Sequence, residues 1–110
     1  MAGWRSGTLT IALAATESEE LNLTMGGARW AKNLLFFNPT TLPETVTVHV
    51  APEVGGTYQA LSQAGSDVVL TAAKAQQIDG LVAGALKLVS GVGVAAERVF
   101  SFQGAARDVR

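Results

Sequence analysis

The sequence contains no cysteine and a single histidine, His49. The lack of cysteine excludes disulfide bonds and thiolate metal sites, although it does not indicate a compartment. One imidazole without a second histidine or a cysteine cannot form an ordinary zinc site. A Ser–His–Asp grouping is not expected either, because His49 lies on one face of a predicted strand. We therefore expect no enzyme activity, no metal, no cofactor and no small-molecule ligand.

Charged residues are also scarce. They make up 15% of the 110 residues, against about 25% in an average soluble domain. Eight basic and nine acidic residues give a net charge of −1, and no basic patch is present, so nucleic-acid binding is not expected. The low charge fits two interpretations. One is a soluble fold rich in glycine and alanine, and the other is a surface partly buried against other subunits, because interface cores are depleted of charge.

Long apolar runs are missing as well. No segment has the length and apolarity of a membrane span, and residues 1–10 lack the apolar region of a secretory signal. We therefore expect neither membrane contact nor secretion through a cleaved leader. The length of the chain fits a single domain.

What the sequence does contain is short segments with a period of two. In residues 45–50, valines alternate with Thr45, Thr47 and His49, which predicts a half-buried strand. We expect its valines and two phenylalanines near the carboxyl end to form the core: Val46, Val48, Val50, Phe100 and Phe102. Further strands are predicted at residues 8–13, 21–24, 30–37, 57–61, 66–71, 86–89 and 98–103.

Turn residues separate many of these segments. Residues 52–56 end in two glycines and predict a hairpin connection. Residues 72–78 are ambiguous, because their Ala, Lys and Gln favour helix, whereas their length and neighbours favour a turn leading into a strand, which we prefer. The consecutive apolar residues 34–37 predict a strand that is covered on both faces, by the core on one and by a partner or a loop on the other.

The whole pattern predicts an all-β fold, an antiparallel β-sandwich or jelly roll of roughly eight short strands. We expect a flexible N-terminal arm at residues 1–7, the sandwich domain at residues 8–104 and a C-terminal tail at residues 105–110.

Acidic residues form two groups that deserve consideration as sites. Glu17, Glu19 and Glu20 lie close in sequence, but they lack the alternating oxygen ligands around a glycine that are typical of a calcium loop, so a solvated turn is favoured. Asp67 and Asp79 would need a defined separation for glycosidase chemistry. Turn roles account for both, and we expect no catalytic residue in the chain.

Four residues are candidates for a partner interface: Trp4, Arg5, Trp30 and His49. Tryptophan is enriched among the residues that dominate binding energy. Trp4 and Arg5 lie on the predicted arm, which either docks on a neighbour or is a disordered terminus. Trp4, Trp30 and Tyr58 could form an aromatic platform for a sugar, although core or interface packing is the favoured use.

Three stretches carry a family resemblance. They are ATESEELNL at residues 15–23, leading towards Asn38-Pro39, then VTVHVAPEVGGTYQAL at residues 46–61, and finally LKLVSG at residues 86–91 with ERVF at residues 97–100. Together they resemble the small β-sandwich proteins of tailed-phage virions, which include capsid decoration (cement) proteins and other head or tail accessory proteins. The hairpin departs from the family pattern, because it has EVGG at residues 53–56 where Asp-Gly-Gly is more common.

The resemblance implies a non-enzymatic structural protein that binds the lattice of the major capsid protein or other virion subunits. It also implies a homo-oligomer on the particle, production in the host cytoplasm and a location on the capsid surface. The alternatives are a carbohydrate- or receptor-binding β-sandwich module and a head or tail accessory protein such as an adaptor or fibre.

Overall fold

A computed structural model describes residues 4–25, 28–29 and 33–105 of the chain. All regular secondary structure in these residues is β-strand, and no helix among them could cross a membrane. In chain order the strands are β1 (Trp4–Ile11), β2 (Leu21–Asn22), β3 (Thr24–Met25), β4 (Ala28–Arg29), β5 (Asn33–Phe37), β6 (Val46–Ala51), β7 (Gln59–Ala60), β8 (Ser62–Gln63), β9 (Ser66–Asp67), β10 (Val69–Leu70), β11 (Ala75–Ile78), β12 (Ala85–Ser90) and β13 (Arg98–Ala105).

The strands form two main antiparallel sheets. The first sheet has the order β1-β13-β5-β11, and the second sheet has the order β10-β6-β12-β2, with β7 also paired to β6. Two small hairpins, β3–β4 and β8–β9, complete the pairing. The predicted all-β antiparallel sandwich is therefore confirmed.

The core lies between the two sheets and follows the alternation of the strands. The first sheet contributes Leu9, Ile11, Leu34, Phe36, Ile78 and Phe100, and the second contributes Val46, Val48, Leu70, Leu86 and Leu88. None of these side chains is more than 2% exposed, so each makes close to its full hydrophobic contribution to folding.

The predicted core residues Val46, Val48, Phe100 and Phe102 are buried. Val50 packs against the same cluster but remains half-buried, because it lies next to the last residue of β6, at the end of the sheet. The valine face of β6 is thus predicted correctly except at its margin.

Residues 72–78 form a turn followed by a strand, as preferred above. Ala73 adopts a left-handed conformation with φ of 60°, and β11 then pairs with β5 from Ala75 opposite Phe37 to Ile78 opposite Leu34. The helix that the local composition favoured is absent, because pairing with β5 outweighs intrinsic propensity.

Two expectations about single segments are wrong. The first strand begins at Trp4 and pairs with β13 along all eight residues, from Trp4 opposite Ala105 to Ile11 opposite Arg98. Residues 4–7 are therefore part of the sheet and not an arm, and Ala105 belongs to β13 and not to a tail. Residues 1–3 and 106–110 lie outside the described residues.

The apolar run at residues 34–37 is covered on one face only. Leu34 and Phe36 are buried, whereas Phe37 is 43% exposed. The core thus covers one face of β5, as expected, and cover of the other face by a partner stays a prediction.

A buried ion pair closes one end of the sandwich. The Arg98 guanidinium donates to both Glu44 oxygens, at 3.0 and 3.1 Å, and the Ala95 N–H donates to Glu44 Oε2 at 3.0 Å. The two side chains are only 8% and 6% exposed. The pair thereby joins the loop before β6 to the start of β13.

Polar side chains connect the two sheets at another point. Asn38 is buried, and its Nδ2 donates to Thr71 O at 2.8 Å and to Gln76 Oε1 at 2.7 Å. Gln76 Nε2 donates in turn to Val69 O at 3.0 Å. These bonds fix the position of β11 in the first sheet relative to β10 in the second.

Candidate partner-binding surface

His49 lies on the outer face of the second sheet. It occupies β6 opposite Ala60 of β7 on one side and Lys87 of β12 on the other. The residue is half-buried, and its Nε2 lies 3.0 Å from Thr47 Oγ1, two residues earlier on the same face. The predicted interface histidine thus belongs to an ordered polar face.

Lys87, the neighbour of His49, is the centre of a small charged cluster. Its Nζ lies 2.9 Å from Glu17 Oε1 and 4.5 Å from the centre of the Tyr58 ring. Glu17 is 53% exposed, so water weakens the ion pair, and its contribution to stability is small. The ring contact adds a cation–π attraction to the ammonium group.

Glu20 connects the same cluster to the β6–β7 hairpin. Its Oε2 accepts hydrogen bonds from the Tyr58 hydroxyl and from the Gly55 N–H, the latter at 2.9 Å. The Gly55 N–H above all, and then the Tyr58 hydroxyl, lower the pKa of Glu20. Partial burial, and then the hydrogen bond to Glu20, raise the pKa of Tyr58 above its ordinary range. Near neutral pH the carboxylate is therefore charged and the phenol protonated.

The three carboxylates of residues 17–20 have separate partners. Glu17 pairs with Lys87, Glu19 Oε1 accepts from the Thr10 N–H at 2.7 Å, and Glu20 binds the hairpin. All three side chains are exposed, as expected for a solvated turn, and each is also bonded to a different segment of the chain. The described residues contain no group of three His, Cys, Asp or Glu side chains that could hold a metal ion.

The outer face of the first sheet is different, because its described side chains are all uncharged. They alternate with the buried residues of β1, β13, β5 and β11. We call the following set the neutral face: Ser6, Thr8, Thr10, Asn33, Leu35, Phe37, Ala75, Gln77, Val99, Ser101 and Gln103. Phe37 and Val99 are 43% and 41% exposed, so part of this surface is apolar.

Two of the predicted interface residues, Arg5 and His49, lie on different sheets. Arg5 is exposed on β1 of the first sheet, whereas His49 is on the second sheet. Trp4 begins β1, and Trp30 lies outside the described residues. An interface role for these four residues, and the aromatic platform of the two tryptophans with Tyr58, therefore stay predictions.

The paired carboxylates considered for catalysis have ordinary surroundings. Asp67 is exposed in β9, and Asp79 accepts a hydrogen bond from Gln77 Nε2 at 2.6 Å. This bond joins two side chains, so the turn role expected for Asp79 stays a prediction.

Sequence reasoning missed two features, the Lys87 cluster and the neutral face. Glu17 and Lys87 are 70 residues apart, and Glu20 and Tyr58 are 38 residues apart, so neither contact has a local signature. The low charge of the sequence indicated that an uncharged surface exists. Its position could not be predicted, because it depends on how four strands pair.

The fold is similar to that of a solved structure described as SPBc2 prophage-derived protein YomS. The TM-score is 0.62 with 16% sequence identity, over 94% of this chain and 96% of that chain. At this level of identity the similarity concerns the fold. No family model matches the sequence, and no curated protein matches it significantly.

Proposed function

We propose that the protein is a non-enzymatic structural component of a phage virion, and specifically a capsid decoration protein that binds the major capsid protein lattice. The observation that carries the proposal is the near-complete mutual coverage with a prophage-derived protein, 94% of one chain and 96% of the other. The stretches at residues 15–23, 46–61 and 86–100 also resemble small virion proteins, which supports the proposal.

The neutral face is the surface that we assign to the capsid contact. An uncharged face can be buried against a lattice without the cost of removing ions from water, and charge depletion is typical of interface cores. The Lys87 cluster is internally paired and stays towards solvent in this arrangement. The proposal thereby explains the low charge of the chain, because an uncharged face is buried in the contact.

The test is co-sedimentation of the purified protein with capsids that lack it. Ser101 is exposed on β13, a central strand of the neutral face, so Ser101→Glu should weaken capsid binding by at least tenfold, about 1.4 kcal/mol. Thr57→Glu, at an exposed loop position, is the matched control and should bind as the parent does. If both variants bind as the parent does, the neutral face does not contact the capsid. If the parent does not bind, the decoration role is contradicted.

A carbohydrate- or receptor-binding module is the second candidate, because an open groove lies beside the Lys87 cluster. Its lining comes from the β6–β7 hairpin: Pro52, Glu53, Gly56, Thr57 and Gln59. Tyr58 lies between Thr57 and Gln59 in the chain, and its ring contacts the Lys87 ammonium group. Binding to surface polysaccharide that is lost in Tyr58→Ala, with no binding to capsids, would favour this candidate.

A further inference from the structure

The first strand provides a long open sheet edge. Five of the described strands lie at the edges of the two sheets. Four of them are short: β11 has four residues, and β10, β7 and β2 have two each. β1 has eight residues. Natural proteins guard exposed edges with short strands, prolines, bulges or clustered charges, because an unpaired edge is a template for another strand. Residues 4–9 of β1 include only one charged residue and no proline.

Only the last part of this edge is covered by the described residues. The Thr10 N–H donates to Glu19 Oε1, and Ile11 forms an isolated bridge with Ser18. The Thr10 N–H therefore points away from β13. Because backbone direction alternates along an antiparallel strand, the N–H and C=O groups of Ser6 and Thr8 point the same way. In the described part of the chain, no strand pairs with them.

We propose that a second copy of this chain pairs with this edge, β1 against β1 and antiparallel, about a two-fold axis between the two Ser6 residues. Ser6 then lies opposite Ser6 of the second copy, and Trp4 lies opposite Thr8. Such a contact is self-complementary, as a two-fold interface requires. The two first sheets join into one continuous sheet. Their neutral faces then lie on the same side of it.

Three registers, two residues apart, allow the outward N–H and C=O groups of the two β1 strands to pair. The sequence of β1 favours the proposed one. A shift of two residues in one direction places Arg5 opposite Arg5, and like charges directly opposite are unfavourable. A shift in the other direction places Trp4 opposite Thr10, whose N–H is already bonded to Glu19. In the proposed register Arg5 lies opposite Gly7, and Thr10 keeps its bond to Glu19.

The choice of a second copy over another protein also follows from this strand. Its outward side chains at residues 6 and 8 are small, uncharged and exposed. A charged partner would therefore find no opposite charge on them. They meet an identical strand without repulsion. The pairing is a property of the isolated protein and does not depend on the proposed virion role.

Single cysteines test the register, because the chain has none of its own. Ser6→Cys should form a disulfide-linked dimer on mild oxidation, since facing Cα atoms about 5.5 Å apart suit a disulfide. Thr8→Cys is the matched control on the same face of the same strand. Its two copies would lie roughly 14 Å apart along the strand direction and should stay unlinked. Linkage of Thr8→Cys without Ser6→Cys, or of neither, overturns the register.

Sedimentation equilibrium of the parent and two proline variants tests the edge itself. Ser6→Pro removes an outward N–H and no bond to β13, so it should weaken dimerisation by at least about tenfold. Ala75→Pro removes an outward N–H from the opposite edge, on β11, and should dimerise as the parent does. Thermal melts of both variants establish that each is folded. A monomeric parent at all concentrations, or an equal effect of the two prolines in folded proteins, overturns the proposal.

Discussion

At the scale of single residues, the Glu44–Arg98 pair is the most sensitive point of the fold. The Arg98 hydrogen bonds, followed by the Ala95 N–H, lower the pKa of Glu44 to about 2 from 4.5. A lowered pKa in the folded state means that ionised Glu44 stabilises the fold above about pH 4.5. That stability is lost as the pH falls towards 2.

Glu44→Gln should therefore lower the urea midpoint at pH 7, because it leaves the Arg98 guanidinium buried without a counter-charge. It should also reduce the loss of stability between pH 5 and pH 2, since the titrating group is gone. The measurement is urea unfolding across this pH range. Glu53→Gln, at an exposed carboxylate, is the control and should match the parent. An unchanged acid profile in Glu44→Gln would contradict the assignment.

Val48 tests the register of β6. Its side chain is fully buried, so Val48→Lys should reduce the free energy of unfolding by about 3 kcal/mol or more, because it buries an unpaired charge. Thr47→Lys, on the outer face of the same strand, should cost much less. Urea unfolding of the two variants decides the question, and equal stability would mean that the inward face is assigned the wrong way round.

At the scale of elements, the chain's own patterns predicted β6 and β13 well, because buried valines and phenylalanines alternate with exposed residues. The first half of β1 was missed for a physical reason. Arg5, Ser6 and Gly7 extend past the core and pair with β13, so they carry no apolar alternation. The role of each acidic residue between β1 and β2 was also hidden, since their partners lie far along the chain.

The same element leads to a prediction about its deletion. Removal of residues 1–7 takes away the pairing from Trp4 to Gly7 and leaves residues 102–105 of β13 paired with β5 alone. We expect a lower melting temperature than for the parent. Removal of residues 1–3 alone leaves β1 intact and is the control. Equal melting of both truncated proteins would show that residues 4–7 add nothing to the sheet.

At the scale of the whole molecule, the sequence was sufficient for the fold class and insufficient for the surfaces. Turns and alternation define an antiparallel sandwich, whereas the neutral face and the Lys87 cluster exist only after distant strands are brought together. His49 shows the difference. The alternation of Thr47 and Val48 predicted that His49 lies on the polar side of β6. The sequence did not predict that Lys87, on β12, lies opposite His49.

Protein copy number in purified virions tests the central claim most directly. A decoration protein covers a lattice, so quantitative gel analysis should give a copy number close to that of the major capsid protein. A few copies per particle would contradict decoration and favour a tail adaptor or fibre. Absence from the particle would contradict the virion role altogether.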